Sequence, residues 1–199
     1  MAGQAARSAE EWSAARALAD AAEAAALIDA STPAGVLAWI YGERALQRAM
    51  LGDERGSGYD LERMEEVRLG APPGTLNVFS PAVDQGTGWI DAYQVRSALR
   101  LGQADEAVTL CERMLSTTDR RLVWQVAEGL VLLAEAWTLR ADLEPAALRL
   151  SEAAELAAAT ENRRDLRAVH RVLRLMRQQW GGAPEVHQLE AQLRELSQT

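Results

Sequence analysis

Not one of the 199 residues is lysine; all 21 basic residues are arginine, a codon-usage signature that carries no mechanism. Cysteine is nearly absent too. A lone Cys111 excludes a disulfide framework and any cysteine-rich zinc module. With only His170 and His187 besides, transition-metal and Cys/His catalytic sites have almost no ligands to draw on. Neither histidine has a serine, cysteine or paired carboxylate at a triad or zinc spacing. No phosphate loop, dinucleotide fingerprint or nucleophile elbow is present. No cofactor or metal is therefore expected, and a binding protein is expected ahead of an enzyme. No run reaches the 18 apolar residues of a membrane span, and the N-terminal MAGQAARSAEEW lacks the apolar core of a signal peptide. A soluble, cytoplasmic protein follows as the expectation. The net charge of −8 argues against the chain as a whole binding nucleic acid.

What is there is helix-forming. Alanine (38) and leucine (27) make up a third of the chain, and they recur with the helical period. In QADEAVTLCERML the apolar residues Ala104, Ala107, Val108, Cys111, Met114 and Leu115 share one stripe. In LEPAALRLSEAAELA the set Leu143, Ala146, Ala147, Leu150, Ala153, Ala154 and Ala157 repeats the same offsets. Strand-type alternation is absent, so the fold class is all-α. Start and stop signals divide the chain into about nine helices. The first opens at the Ser8/Glu11 capping box and runs to about 29. The others lie near 33–51, 57–68, 89–101, 103–116, 119–140, 143–160, 162–180 and 184–198. Between the third and fourth, residues 69–88 hold three of the six prolines and four glycines, the only long irregular segment.

The turns between helix pairs repeat. Gly52, Gly102, Ala141 and Gly181 mark them, and the last two intervals are 39 and 40 residues. The 50-residue interval from Gly52 to Gly102 contains the irregular segment. A period near 40 predicts a solenoid, a single helical-repeat domain over residues 1–199. LRLGQADEAVTLCERML and LRADLEPAALRLSEAA resemble the tetratricopeptide-repeat turn. Ala107 and Ala146 stand at its small position, and Ser57 stands there in the first repeat. The expected architecture is a tetratricopeptide-like right-handed solenoid of antiparallel helix pairs. The order GVLAWIYGERALQRAMLGD, DAYQVRSALRLGQADEAV, RLVWQVAEGLVLLAEAWTLRADLEPAALRLSEAAELA and VHQLEAQLREL resembles the C-terminal repeat domain of Cro/repressor-type helix-turn-helix regulators of high-GC bacteria. The resemblance implies a module that senses a ligand or partner within a transcriptional regulatory system. No helix-turn-helix segment precedes Ser8, so specific DNA binding is not expected of these residues. The rival readings are a repeat protein whose concave pocket binds or transforms a small molecule in a biosynthetic pathway, and a protein–protein scaffold. A homodimer is a further option.

Aligning the turns gives candidate site residues. Trp39, Trp89 and Glu128 fall at one equivalent position of the first helix in each pair, and Leu46, Arg96 and Glu135 lie seven residues on. On a concave face, Trp39, Trp89, Arg96, Glu128 and Glu135 suit a partly apolar ligand or a peptide. The alternative is that the tryptophans pack between repeats. Segment 69–88, with Asn77, Phe79, Ser80, Asp84 and Gln85, reads either as a lid over that face or as a surface excursion. Trp12, Trp124, Trp137 and Trp180 share no register with the first two and are expected in the core. Arg164, Arg167, Arg171, Arg174 and Arg177 form a basic flank on one helix. They read either as a dock for an anionic partner or as a solvated stripe paired to neighbouring acidic helices.

Overall fold

The computed structural model describes the backbone of residues 2–29, 31–72, 75–76 and 88–196, with side chains from residue 13 onward. Among these residues every regular element is an α-helix. In chain order they are α1 (Ala2–Ala26), α2 (Ala34–Met50), α3 (Glu54–Gly70), α4 (Gly88–Arg100) and α5 (Ala104–Thr117), followed by α6 (Val123–Arg140), α7 (Leu143–Ala159), α8 (Arg163–Trp180) and α9 (Pro184–Leu196). None of the described helices is long and apolar enough to cross a membrane. The fold is all-α.

Three starts differ from the sequence reading by several residues. One is α6, which opens at Val123 rather than near 119, because the Asp119 side chain instead accepts the N–H of Arg121 at 2.9 Å and closes a turn. The first helix does not open at Ser8: the alanine-rich AGQAAR ahead of it continues the helix back to Ala2. The third begins at Glu54 rather than near 57, because Asp53 caps it by accepting the backbone N–H of Gly56 at 2.9 Å. Gly56 and Gly58 in that first turn lower its helix propensity and hide the start. The later starts carry their own signals. Asn162 opens α8 by accepting the N–H groups of Arg164 and Asp165.

The three turns aligned from sequence share a backbone conformation. Gly52, Gly102 and Ala141 all have positive φ, at 77°, 76° and 69°. At Gly52 and Ala141 the next residue donates to the carbonyl five residues back (Asp53 to Arg48, Asp142 to Trp137), the hydrogen-bond pattern of a Schellman motif. Gly181 does not repeat this; its φ is −47°. A further positive φ falls at Glu161, between α7 and α8, with the same return bond from Asn162 to Ala157. Five residues after the first three anchors stand Ser57, Ala107 and Ala146, all fully buried. Twelve residues after them stand Met64, Met114 and Ala153, buried as well.

The chain divides into two compact units, Met1–Leu101 and Gly102–Thr199. In the first, α2 packs on α1, α3 and α4. Its core gathers Ala38, Met64, Ile90 and Tyr93, with Tyr41, Leu46, Leu61, Val67 and Trp89 against it. In the second, α6 packs on α5, α7 and α8, while α7 also reaches α9. Leu130, Val131, Leu150, Val169, Val172, Met176, Val186 and Leu189 form its core.

Gly42 stands at a close approach of α2 to α4. A Cβ on Gly42 would lie 2.7 and 2.8 Å from the ring carbons Cδ2 and Cγ of Tyr93, and 3.1 Å from the Met64 sulfur. Gly42→Ala gains roughly 1 kcal/mol of helix propensity, but overpacking costs about 1–3 kcal/mol. A net loss of about 1 kcal/mol is expected from thermal melting. Gly129→Ala should cost less, because its Cβ would meet the flexible ends of Leu115 and Met114.

Candidate functional site

On α2, residues 39, 43, 46 and 47 share one face; on α4, residues 89, 93 and 96 do. The helices bring these faces together around Tyr93. Its hydroxyl donates to Glu43 Oε1 at 2.6 Å. The indole of Trp39, whose N–H can only donate, lies beside the same hydroxyl and draws its pKa slightly down. Gln47 Nε2 donates to the other Glu43 oxygen at 3.4 Å. The Trp89 ring meets Tyr93 edge to face, with centroids 6.2 Å apart. Burial, reinforced by the bond to Glu43 and its charge, pushes the Tyr93 hydroxyl well above its ordinary pKa, while the Arg96 charge pulls the other way. Tyr93 is therefore protonated at neutral pH and serves as a hydrogen-bond donor.

The two tryptophans differ in their surroundings. Trp89 is half-buried and packs against the core of the first unit. Trp39 lies beside the Tyr93 hydroxyl, yet is 39% exposed. The arrangement presents an open indole face beside a carboxylate and a half-buried guanidinium. It is chemically suited to an apolar or aromatic group carrying hydrogen-bond donors.

The structure thus gathers Trp39, Trp89 and Arg96, and Leu46 joins the core beside them. Glu43 and Tyr93, which the sequence reading did not single out, each lie four residues after an aligned tryptophan, a spacing that points to them. Asn77, Phe79 and Asp84, with Ser80 and Gln85, lie outside the described residues. Glu128 and Glu135 belong to the second unit and have partners there. Arg164 lies 3.7 Å from Glu128. Arg171 Nη1 and Nη2 hold both oxygens of Glu135 at 2.6 and 2.8 Å. Glu135 is nearly buried, so its visible role is to tie α6 to α8.

Trp137 and Trp180 pack against the core of the second unit as expected, and Arg140 lies over the Trp137 ring at 4.7 Å. Trp124, also expected in the core, is instead 38% exposed, because it sits in the first turn of α6 next to the exposed 119–121 turn. The side chain of Trp12 lies outside the described residues. Cys111 is fully buried, and that burial, with Glu135 and Glu112 nearby, pushes its thiol up to about 12, so it packs as an inert hydrophobe. No cluster of three metal-ligating side chains occurs among the described residues.

A buried ionic group in the first unit escaped the sequence reading. The fully buried Asp60 of α3 lies 3.1 Å from Arg44 and 3.3 Å from Arg48, which are one turn apart on α2. These are ion-pair distances without hydrogen-bond alignment, since neither carboxylate oxygen has an aligned donor. Burial outweighs the two arginines and holds the Asp60 carboxyl above its ordinary pKa. Its evident role is to clasp α2 to α3.

The arginines of α8 divide between the two readings of the basic flank. Arg164, Arg171 and Arg177 pair with Glu128, Glu135 and Glu190. Arg163, Arg167 and Arg174 are exposed and have no acidic partner among the described residues. The chain matches no family model, no curated protein and no solved structure.

Proposed function

We propose that the chain is a tetratricopeptide-like helical-repeat binding module, non-enzymatic, whose α2–α4 face takes a protein or small-molecule ligand. Within each unit the helix pairs are read as stacked in the right-handed tetratricopeptide manner. The shared positive φ at Gly52, Gly102 and Ala141 supports this, as do the buried small residues five positions on. So do the contacts between alternate helices, α2 with α4, α6 with α8 and α7 with α9, which a repeat stack requires. The resemblance to regulator repeat domains supports a sensing role in a transcriptional regulatory system.

The observation that carries the binding reading is Trp39. An indole has only two side-chain torsions to freeze on binding, and the exposed face of Trp39 remains open to a ligand. Tyr93 offers no base at neutral pH, which favours recognition over turnover.

Screening a library of aromatic amines and short peptides against 15N-labelled protein tests this. The indole N–H resonances of Trp39 and Trp89 should shift together, while those of Trp137 and Trp180 stay in place. In Trp39→Ala the binders should lose at least about tenfold in affinity, the order of one hot-spot residue. Shifts spread evenly over all the indoles, or none, would reject the reading.

A further inference from the structure

The second unit leaves two surfaces of opposite charge without partners. Between α7 and α9 runs a groove of about 550 Å3. Ala147, Leu148 and Leu189 line its apolar part, and Leu148 is 53% exposed. Its rim carries Glu144, Glu185 and Glu195, none of which has an ion-pair or hydrogen-bond partner among the described residues. Elsewhere in the same unit Glu128, Glu135, Glu152 and Glu190 each face an arginine.

The opposite charge stands on α8. Arg163, Arg167, His170, Arg174 and Arg177 fall at offsets of 0, 4, 7, 11 and 14, one exposed stripe about 21 Å long at the helical rise. Only Arg177 among its arginines has a partner. Beside the stripe a second groove of about 610 Å3 lies between α8 and α9, with Leu173 and Glu190 in its lining. On α9, Glu185, Gln188, Gln192 and Glu195 line the first groove, whereas Glu190 lines the second. At about 100° per residue these positions lie on opposite sides of the helix.

We propose that the arginine stripe of α8 docks into the acid-rimmed groove between α7 and α9 of a second copy of this chain. Charge complementarity names the occupant. Three unpaired guanidinium groups and three unpaired carboxylates stand on the same unit, and each set supplies what the other lacks. Leu148, exposed in the groove, gives the contact an apolar centre inside a charged rim. The two surfaces differ and face away from one another across α9. The contact is therefore heterologous and adds copies head to tail, where a two-fold dimer would use one surface twice. It is independent of the ligand reading for the first unit.

Sedimentation velocity of the full chain, from low to high micromolar, tests it at about 0.05 M and about 0.5 M salt, below and above the range where exposed pairs are screened. At low salt the average mass should rise with concentration past that of a dimer, and at high salt it should return to that of a single chain. Two charge-reversed variants, R167E/R174E and E144R/E195R, should each remain monomeric with unchanged helical circular dichroism. An equimolar mixture of the two should associate again, because each supplies the surface complementary to the other. Wild type that stays monomeric under all conditions overturns the proposal, as do variants that assemble like wild type or a mixture that stays monomeric. Assembly that appears only on adding a DNA duplex assigns the stripe to nucleic acid and overturns it as well.

Discussion

Leu150→Ala should lower the stability of the chain by about 2–5 kcal/mol, the range for truncating a fully buried leucine. Leu150 is wholly buried nine residues after the Ala141 turn, in the core that includes Ala146, Ala153, Val169, Val172 and Met176. Several of its neighbours are alanines, which have no side-chain length with which to fill a vacated volume. The loss should therefore fall in the upper half of that range. Leu150→Met, which keeps the volume, should cost less than about 1.5 kcal/mol. Urea denaturation monitored at 222 nm checks both, and the variants should differ in midpoint rather than in slope.

Arg171→Met should cost about 2–3 kcal/mol, because it leaves the Glu135 carboxylate nearly buried without its two charge-assisted bonds. The reverse truncation, Glu135→Ala, should cost about 1 kcal/mol, since the freed guanidinium is part-exposed and its long stem lets it turn to water. Urea denaturation of both variants checks the asymmetry: Arg171→Met should lose more than Glu135→Ala. Equal losses would mean that Glu135 finds another partner.

The local features of this fold were legible because the helical period is a local property. Ala107, Val108, Cys111 and Met114 on α5, and Ala146, Leu150, Ala153, Ala154 and Ala157 on α7, lie buried on the stripes their spacing drew. The turn anchors at Gly52, Gly102 and Ala141 were legible for a similar reason. A helix reversal of this kind needs a left-handed residue, and its small neighbour five positions on must fit beneath the adjacent helix. Pairings across long sequence separations were not legible. Glu43 meets Tyr93 fifty residues away, and Glu135 meets Arg171 thirty-six residues away. Nothing in either local pattern announces its partner. Asp60 shows the limit most sharply: in DLERMEE it reads as one charge among several on a solvated helix. Only the placement of Arg44 and Arg48 one turn apart on α2 accounts for its burial. Trp39 and Trp89 were found by repeat alignment, yet only their packing separates the exposed recognition candidate from its core-facing counterpart.

Photo-crosslinking tests the binding surface most directly. A benzoylphenylalanine placed in turn at position 36, one turn before Trp39 on the same face, at position 96, and at the exposed apolar positions 59 and 69 of the same unit, would report what each contacts in the producing cell, read as added mass on the intact protein. The account predicts discrete adducts at 36 and 96, absent at 59 and 69, and lost at 36 and 96 when Trp39 is replaced by alanine. Equal adducts at all four positions, or none at 36, would contradict it.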